Sequence, residues 1–325
     1  MGSTMGRSMT LKSVSGGEDR SGTTRSRVTT LDVFISHSSG QLPIAKRMSR
    51  SLGRLGLEVW IDDSDIRIGA ILRDQLSGAI RDAKVFVLLW SKTAAKSRWV
   101  AAELLTAFHL DRPIVPCLSD KARLPQFLAS VLSLDLTKQT RDWPRLLARG
   151  VRDARVVQPT AMAGQEPRLV EMVDDLGRKQ NLEGIAFQER DLGRVRRIHK
   201  QIDRPLASAR RRWRYDAQLL NIAGYHQKNA YMLKHWEKLQ AGYTPHDALL
   251  QTAEALFFRS LFLNPSDPSA LNGLASILLL EHELHAASFF NDRAIRLVEE
   301  VGGTYEAALT DRATIQFYLQ RNRDR

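Results

Sequence analysis

The chain has 325 residues, of which 43% are hydrophobic and 26% charged, a balance typical of a globular protein large enough for two domains. The longest apolar run, VFVLLW at 85–90, is far shorter than the roughly 18 residues of a membrane span, so we expect no membrane insertion. The single cysteine, Cys117, excludes an intramolecular disulfide and favours a cytoplasmic location. Cys117 lies in the apolar run PIVPCL and is expected to be a buried small residue.

The net charge of +12 would suit a nucleic acid or another anionic partner. The excess is spread along the chain, with one dense arginine cluster, RVRRIHKQIDRPLASARRRWR, at 194–214. Two interpretations of this cluster stay open: the solvated face of a helix, or a patch that binds nucleic acid or another anionic partner.

Short β-rich runs alternate with helical patterns from Leu31 onward, after a Ser-, Gly-, Thr- and Arg-rich stretch at 1–30 that predicts a disordered leader. The predicted strands cover 31–36, 57–62, 85–91, 113–118 and 132–136, and the predicted helices cover 42–55, 70–82, 97–109 and 142–152. This alternation over 31–155 predicts an α/β fold with a parallel, doubly wound sheet. Such sheets bind their ligands beyond the carboxyl ends of the strands.

The rest of the chain carries few strand signals and is expected to be all-α. The segment QPTAMAGQEP predicts a linker, and 156–233 is expected to hold this linker and irregular helices. Over 234–325, small residues recur at an offset of 34, at Ala241 and Ala275, Ala253 and Ala287, and Ser260 and Ala294. This spacing resembles the tetratricopeptide repeat, in which small residues let two antiparallel helices pack closely. An ordinary helical bundle is the alternative.

Polar and aromatic residues collect where the first three predicted strands end, in SHSSGQ at 36–41, DDSDIRIG at 62–69 and WSKTAAKSRWVAAE at 90–103. Because the carboxyl ends of parallel strands meet at one edge of a sheet, these segments predict a cleft of aromatic faces and hydrogen-bonding groups. The candidate ligand contacts are Ser36, His37, Ser38, Trp60, Asp62, Trp90, Ser91 and Trp99.

One carboxylate, Glu103, stands in the apolar row of the predicted helix 97–109, four residues after Trp99. From the residues alone it is either a functional carboxylate in the cleft or a helix-surface carboxylate paired with Lys96 or Arg98. The other candidate ligand contacts also allow both a structural and a functional interpretation. Trp99 suits core packing as well as ligand stacking, and the Ser-His-Ser run suits capping of the next helix as well as ligand contact.

Taken in order, LDVFISHSS, GLEVWIDDSDIRIG and AKVFVLLWSKTAAKSRWVAAEL resemble a Toll/interleukin-1 receptor (TIR) domain of the bacterial kind, over about 31–155. The resemblance implies a five-stranded parallel flavodoxin-like sheet. It makes 62–69 the so-called BB loop, an assembly surface whose candidate residues are Asp63, Asp65, Ile66, Arg67 and Gly69. It also implies that Glu103, in the motif Trp-x-x-x-Glu, is the glutamate that active members need to cleave NAD+. Non-enzymatic TIR adaptors exist as well, so the fold alone does not establish activity.

The implied chemistry is compatible with a single carboxylate. Cleavage between nicotinamide and ribose passes through an oxocarbenium-like state, whose positive charge a fixed carboxylate stabilises. A sugar hydrolase needs a second acid to protonate its leaving oxygen, whereas nicotinamide leaves a cationic pyridinium as a neutral base. Glu103 is therefore sufficient, and NAD+ is expected as a consumed substrate, with no other cofactor.

Other kinds of site find little support in the sequence. The eight histidines are scattered without ligand spacing, so no metal is expected. SHSSGQ is not a phosphate loop, and GLEVWIDD lacks the Gly-x-Gly-x-x-Gly of a dinucleotide-binding helix. A hydrolase based on His37 and a neighbouring serine would need a strained nucleophile turn and a third member, and neither is evident.

These observations favour an NAD+ nucleosidase that produces nicotinamide and either ADP-ribose or a cyclic isomer. The family implies activation by self-assembly of TIR domains into a homo-oligomer, a role as a bacterial immune or signalling effector, and a protein partner for the helical region. The alternative is a non-catalytic TIR and repeat scaffold. Nucleic-acid binding through the arginine cluster is a third, less favoured possibility.

Overall fold

The computed structural model describes residues 31–61, 78–138, 141–157 and 166–323. The predicted leader at 1–30 and the first part of the predicted helix 70–82 lie outside these residues, and 78–82 are helical. In the first part of the chain the elements are β1 (Val33–Ser36), α1 (Leu42–Gly53), β2 (Val59–Ile61), β3 (Val85–Trp90), α2 (Arg98–His109), β4 (Ile114–Leu118), β5 (Leu134–Asp135) and α3 (Trp143–Asp153).

The five strands form one parallel sheet in the order β2-β1-β3-β4-β5, which confirms the predicted flavodoxin-like fold. Val33 of β1 pairs with Val59 on one side and with Val85 on the other. Alternate side chains of β1 and β3 enter two separate cores, so that Phe34 and Phe86 lie in one and Val33 and Val85 in the other. A sheet covered on both faces needs apolar residues at every position of its central strands, as the run VFVLLW provides.

The sole cysteine is fully buried in this sheet, as its apolar surroundings predict. Burial raises the pKa of the Cys117 thiol to about 12, so it stays protonated at neutral pH.

The rest of the described chain is all-helical, as predicted. Its helices are α4 (Pro167–Gln188), α5 (Leu192–Arg212), α6 (Ala217–Gln240), α7 (Ala248–Leu263), α8 (Pro268–Leu280), α9 (Leu284–Glu299) and α10 (Glu306–Arg323). Aspartates cap four of these helices by accepting backbone N–H groups, namely Asp191, Asp216, Asp247 and Asp267. Across the described ranges, no helix combines the length and apolarity that a bilayer requires.

The small residues at the predicted 34-residue offset divide into two groups. Ala253 and Ser260 of α7 and their counterparts Ala287 and Ala294 of α9 are all fully buried, as close helix packing requires. Ala241, in contrast, is exposed and lies just after the end of α6. The 34-residue offset therefore relates α7 to α9, but it does not relate α6 to α8.

Helices α6 and α8 match each other at a different spacing. Their capping residues, Asp216 and Asp267, are 51 positions apart. The same offset joins the buried Asn221 and Asn272. This spacing is longer than 34 because the interval contains the 24 residues of α6, the connection at 241–247 and the 16 residues of α7. Membership of the tetratricopeptide family stays a prediction.

Two glycines bring α6, α7 and α8 into close contact around Phe257, which is fully buried. A Cβ added to Gly224 of α6 would lie 2.7 Å from the Phe257 ring, and one added to Gly273 of α8 would lie 2.3 Å from it. No side chain larger than hydrogen fits at either position without movement of the ring.

The arginine cluster at 194–214 covers most of α5 and the residues that follow it. Its apolar side chains, among them Val195 and Ile202, are buried against α4 and α6, so the arginines occupy the polar face of an amphipathic helix. Arg212 pairs with Glu166 at 2.8 Å. Nucleic-acid binding by this cluster stays a prediction.

Candidate active site

Helix α2 is shared between the sheet and the helical region. Val100 and Leu104 pack into one core of the sheet, whereas Ala101 and Leu105 belong to the core of the helical region. The helix begins after Ser97, whose hydroxyl accepts a hydrogen bond from the Val100 N–H at 3.4 Å. Packing against the sheet on one side and the helical region on the other therefore determines the position of α2.

Polar contacts hold both ends of α2 against the helical region. At the first residue, the Arg98 guanidinium contacts Glu254 at 2.7 Å and also pairs with Glu281. At the last residue, His109 Nδ1 accepts a hydrogen bond from Arg293 Nε at 3.2 Å. Burial and then the charge of Arg293 lower the pKa of His109 to about 3, so its imidazole is neutral and able to accept this bond.

Glu103 lies in the middle of α2 and is only 5% exposed. The Ser36 hydroxyl, at the carboxyl end of β1, donates a hydrogen bond of 2.5 Å to Glu103 Oε2. Because Ser36 is fully buried and belongs to a central strand, it holds the carboxylate at the edge of the sheet where parallel folds bind ligands. Arg98, one of the two predicted surface partners of Glu103, pairs with carboxylates of the helical region instead.

A network of hydroxyl and amide groups joins the loops that follow β1, β3 and β4. Ser38 Oγ donates to Gln41 Oε1 at 2.7 Å and lies 3.1 Å from Thr93 Oγ1. Thr93 Oγ1 in turn lies 2.7 Å from Ser91 Oγ. Gln41 Nε2 completes the network by donating to Ser119 Oγ at 2.7 Å. The predicted residues Ser38 and Ser91 are thus brought together at the edge of the sheet.

Three members of this network were not predicted as site residues. Gln41 and Thr93 lie within the quoted segments 36–41 and 90–103, and their position after strand ends was a usable signal. Ser119 follows β4, whereas the predicted cleft was built only from the carboxyl ends of the first three strands.

His37 presents an imidazole nitrogen at the same edge. Its Nδ1 lies 2.9 Å from the Ser38 carbonyl oxygen. Its Nε2 is buried and has no hydrogen-bond partner among the described residues. Because a buried polar atom without a partner is costly, Nε2 is a candidate contact for a polar ligand.

The three predicted tryptophans have different surroundings. Trp60 stacks on Phe34 with 4.9 Å between ring centroids, and Trp90 is 2% exposed with its indole N–H donated to the Arg123 carbonyl at 2.9 Å. Trp90 therefore belongs to the core, and the half-buried Trp60 packs against it. Trp99, by contrast, is 39% exposed, and the Arg98 guanidinium lies 5.3 Å from its ring centroid. Trp99 has the most accessible ring of the three for a ligand or a partner. Asp62 and the predicted assembly residues Asp63, Asp65, Ile66, Arg67 and Gly69 lie outside the described residues.

A cavity of about 760 Å³ separates the start of α2 from α7 and α8, and its lining includes Arg98, Ala101, Glu254, Phe262 and Glu281. An α-helix turns by about 100° per residue, so Glu103 projects from the side of α2 opposite to Arg98 and Ala101. The cavity and the Ser36–Glu103 pair therefore lie on different faces of one helix.

Comparison with known proteins gives a family match and several relatives. A family model described as TIR domain matches residues 33–156. A probable 2′ cyclic ADP-D-ribose synthase of Methanobrevibacter olleyae is 32% identical over 93 residues, which are 27% of this chain and 27% of the relative. A 2′ cyclic ADP-D-ribose synthase of Acinetobacter baumannii is 30% identical over 74 residues, 22% of this chain and 28% of the relative. One of Bacteroides thetaiotaomicron is 31% identical over 74 residues, 22% of this chain and 26% of the relative. The matched segments span just over a quarter of the length of these relatives.

Proposed function

Because residues 33–156 form a TIR domain, we propose that this protein cleaves NAD+, releasing nicotinamide and forming ADP-ribose or a cyclic isomer of it. The names of the three relatives support this proposal and favour the 2′ cyclic product. The observation that carries it is the buried Glu103 carboxylate, which Ser36 holds at the ligand-binding edge of the sheet.

In the proposed reaction, the bond between ribose C1′ and the pyridinium nitrogen breaks, and its electron pair stays with nicotinamide. The ribose becomes oxocarbenium-like, and the Glu103 carboxylate stabilises its positive charge from a position with little water. Water or a hydroxyl of the same molecule then attacks C1′ and loses its proton to solvent. Nicotinamide needs no proton in order to leave, which is why one carboxylate serves.

The neighbouring residues are assigned supporting roles. Ser36 positions the carboxylate through its hydrogen bond. The His37 Nε2 atom binds a polar group of NAD+, and the exposed ring of Trp99 stacks on the substrate or on a neighbouring protomer. The predicted roles of Ser38, Ser91, Trp60, Asp62 and Trp90 in substrate binding stay proposals of the same kind.

We further propose that the enzyme becomes active when TIR domains associate through the loop at 62–69. The contacts that hold α2 support a role for the helical region in this step, because Arg98 and His109 link the helix that carries Glu103 to α7, the end of α8 and α9. A protein partner that binds the helical region would act on the catalytic helix through these contacts.

The test compares NAD+ turnover by the wild type, Glu103→Gln and Glu58→Gln, with nicotinamide and nucleotide products separated by chromatography and identified by mass. Glu58 is an exposed glutamate of the same domain that precedes β2 and is the matched control. We expect Glu103→Gln to lower turnover at least about a hundredfold, as for the loss of about 3 kcal/mol of transition-state stabilisation. We expect Glu58→Gln to retain activity.

A concentration series separates catalysis from assembly. Specific activity that rises with protein concentration supports activation by self-association. Turnover that survives Glu103→Gln would refute the mechanism. No loss of NAD+ at any concentration, with or without candidate activators, would favour the non-catalytic scaffold.

A further inference from the structure

Three helices of the helical region bring together a buried group of metal-ligand residues. Glu183 of α4, His199 of α5 and His226 of α6 each offer one ligand atom, and these atoms lie within 4.8 Å of one another. Glu183 is fully buried and His226 is 5% exposed. His199 Nδ1 lies 2.7 Å from Glu183 Oε1, and the two imidazole rings stack with centroids 3.9 Å apart.

Outer groups orient two of these three side chains in the way that is usual for metal ligands. His226 Nε2 lies 2.8 Å from the Asp203 carboxylate, which therefore accepts its N–H. Asn229 Nδ2 donates to the second oxygen of Glu183 at 2.7 Å. Ligating histidines commonly donate their other ring N–H to a carboxylate, and ligating carboxylates are themselves hydrogen-bonded.

The remaining nitrogen of His226 points to a missing ligand. Its Nδ1 is buried and has no hydrogen-bond partner in the described part of the chain. With the proton on Nε2, Nδ1 carries a lone pair.

We propose that Glu183, His199 and His226 bind a divalent transition-metal ion, with Zn²⁺ the best match. Two imidazoles and one carboxylate suit Zn²⁺, and a water molecule would complete four-fold coordination. Coordination needs the lone pair of His199 Nδ1, so on binding the proton that Nδ1 shares with Glu183 moves to Nε2 of the same ring. Because its ligands come from α4, α5 and α6, the ion fixes these three helices to one another.

No metal was predicted from the sequence because the histidines show no ligand spacing. The three ligands are 16 and 27 residues apart and lie on separate helices, so a linear pattern could not reveal them.

The test uses the full chain after treatment with a chelator and its removal. We expect isothermal titration with ZnCl₂ to give one ion per chain with micromolar or tighter affinity, and Zn²⁺ to raise the Tm by several degrees. Co²⁺ should give the visible absorption of a four-coordinate site. His226→Gln and Glu183→Gln should abolish binding, whereas the control His246→Ala, which changes an exposed histidine, should retain it.

If the ligand variants do not fold, as judged by circular dichroism, Asp203→Asn takes their place. Asp203 is 54% exposed in its side chain, so its replacement should spare the fold and weaken Zn²⁺ binding about 10- to 100-fold. Absence of stoichiometric binding to the wild type would overturn the proposal, as would equal affinity in a folded His226→Gln or Asp203→Asn variant.

Discussion

The ion pair that joins α2 to the helical region contains a glutamate with a strongly altered pKa. Glu254 of α7 contacts Arg98 at 2.7 Å, and its side chain is 8% exposed. Burial raises the pKa of Glu254 to about 7 from its ordinary 4.5; the positive charge of Arg98 opposes this rise, and the negative charge of Glu281 adds to it. The replacement Glu254→Gln keeps the size of the side chain and removes its charge.

Proton linkage gives the sign of the effect of Glu254→Gln on stability at each pH. A carboxyl whose pKa is higher in the folded state stabilises the fold below about pH 4.5, and this contribution is lost as the pH rises to about 7. One pKa unit corresponds to about 1.4 kcal/mol, so ionised Glu254 costs about 3 kcal/mol above pH 7. Glutamine does not ionise. We therefore expect Glu254→Gln to be more stable than the wild type by about 3 kcal/mol at pH 8, and by less than about 1 kcal/mol at pH 5.

The measurement is urea unfolding of the wild type, Glu254→Gln and the exposed control Glu58→Gln at pH 5 and pH 8, followed by tryptophan fluorescence. The control should match the wild type at both pH values. Destabilisation of Glu254→Gln at pH 8 would refute the reasoning, because it would mean that attraction to Arg98 outweighs the cost of burial.

Two further substitutions test the site and the packing of the helices. Ser36→Ala removes the hydrogen bond to Glu103. Because the serine positions the carboxylate, we expect kcat for NAD+ cleavage to fall about tenfold with little change in KM. An altered KM with unchanged kcat would instead make Ser36 a binding residue. Gly273→Ala places a methyl group 2.3 Å from the Phe257 ring and should lower the free energy of unfolding by about 1–3 kcal/mol. The control Gly177→Ala in α4, where an added Cβ meets open space, should not lower it. Equal urea midpoints for Gly273→Ala and the wild type would contradict this packing argument.

The order of strands and helices in the first domain could be predicted from the sequence because each element has a local pattern. The central strands are continuous apolar runs, since both of their faces are buried, and α1 and α2 show helical spacing. The position of Glu103 near the end of β1 also follows from chain order, since parallel strands place their carboxyl ends at one edge. The contact with Ser36 is a finding of the structure.

Residues whose neighbours lie far along the chain could not be placed in this way. One alternative that the sequence left open paired Glu103 with Lys96 or Arg98. In the structure Arg98 pairs with Glu254 and Glu281, more than 150 residues away. Trp90 follows the pattern of a ligand contact, yet it packs edge-on against Phe262 of α7, with centroids 6.0 Å apart.

The sequence by itself determined the secondary structure, the parallel sheet, the all-α second part and the carboxylate on which the proposed chemistry depends. Only the tertiary structure decided which face of α2 meets the helical region, how α6 departs from the 34-residue spacing, and that Glu183, His199 and His226 converge. The physical reason is that periodicity reports which side of one element is buried, whereas the partner that buries it depends on packing between elements distant in sequence.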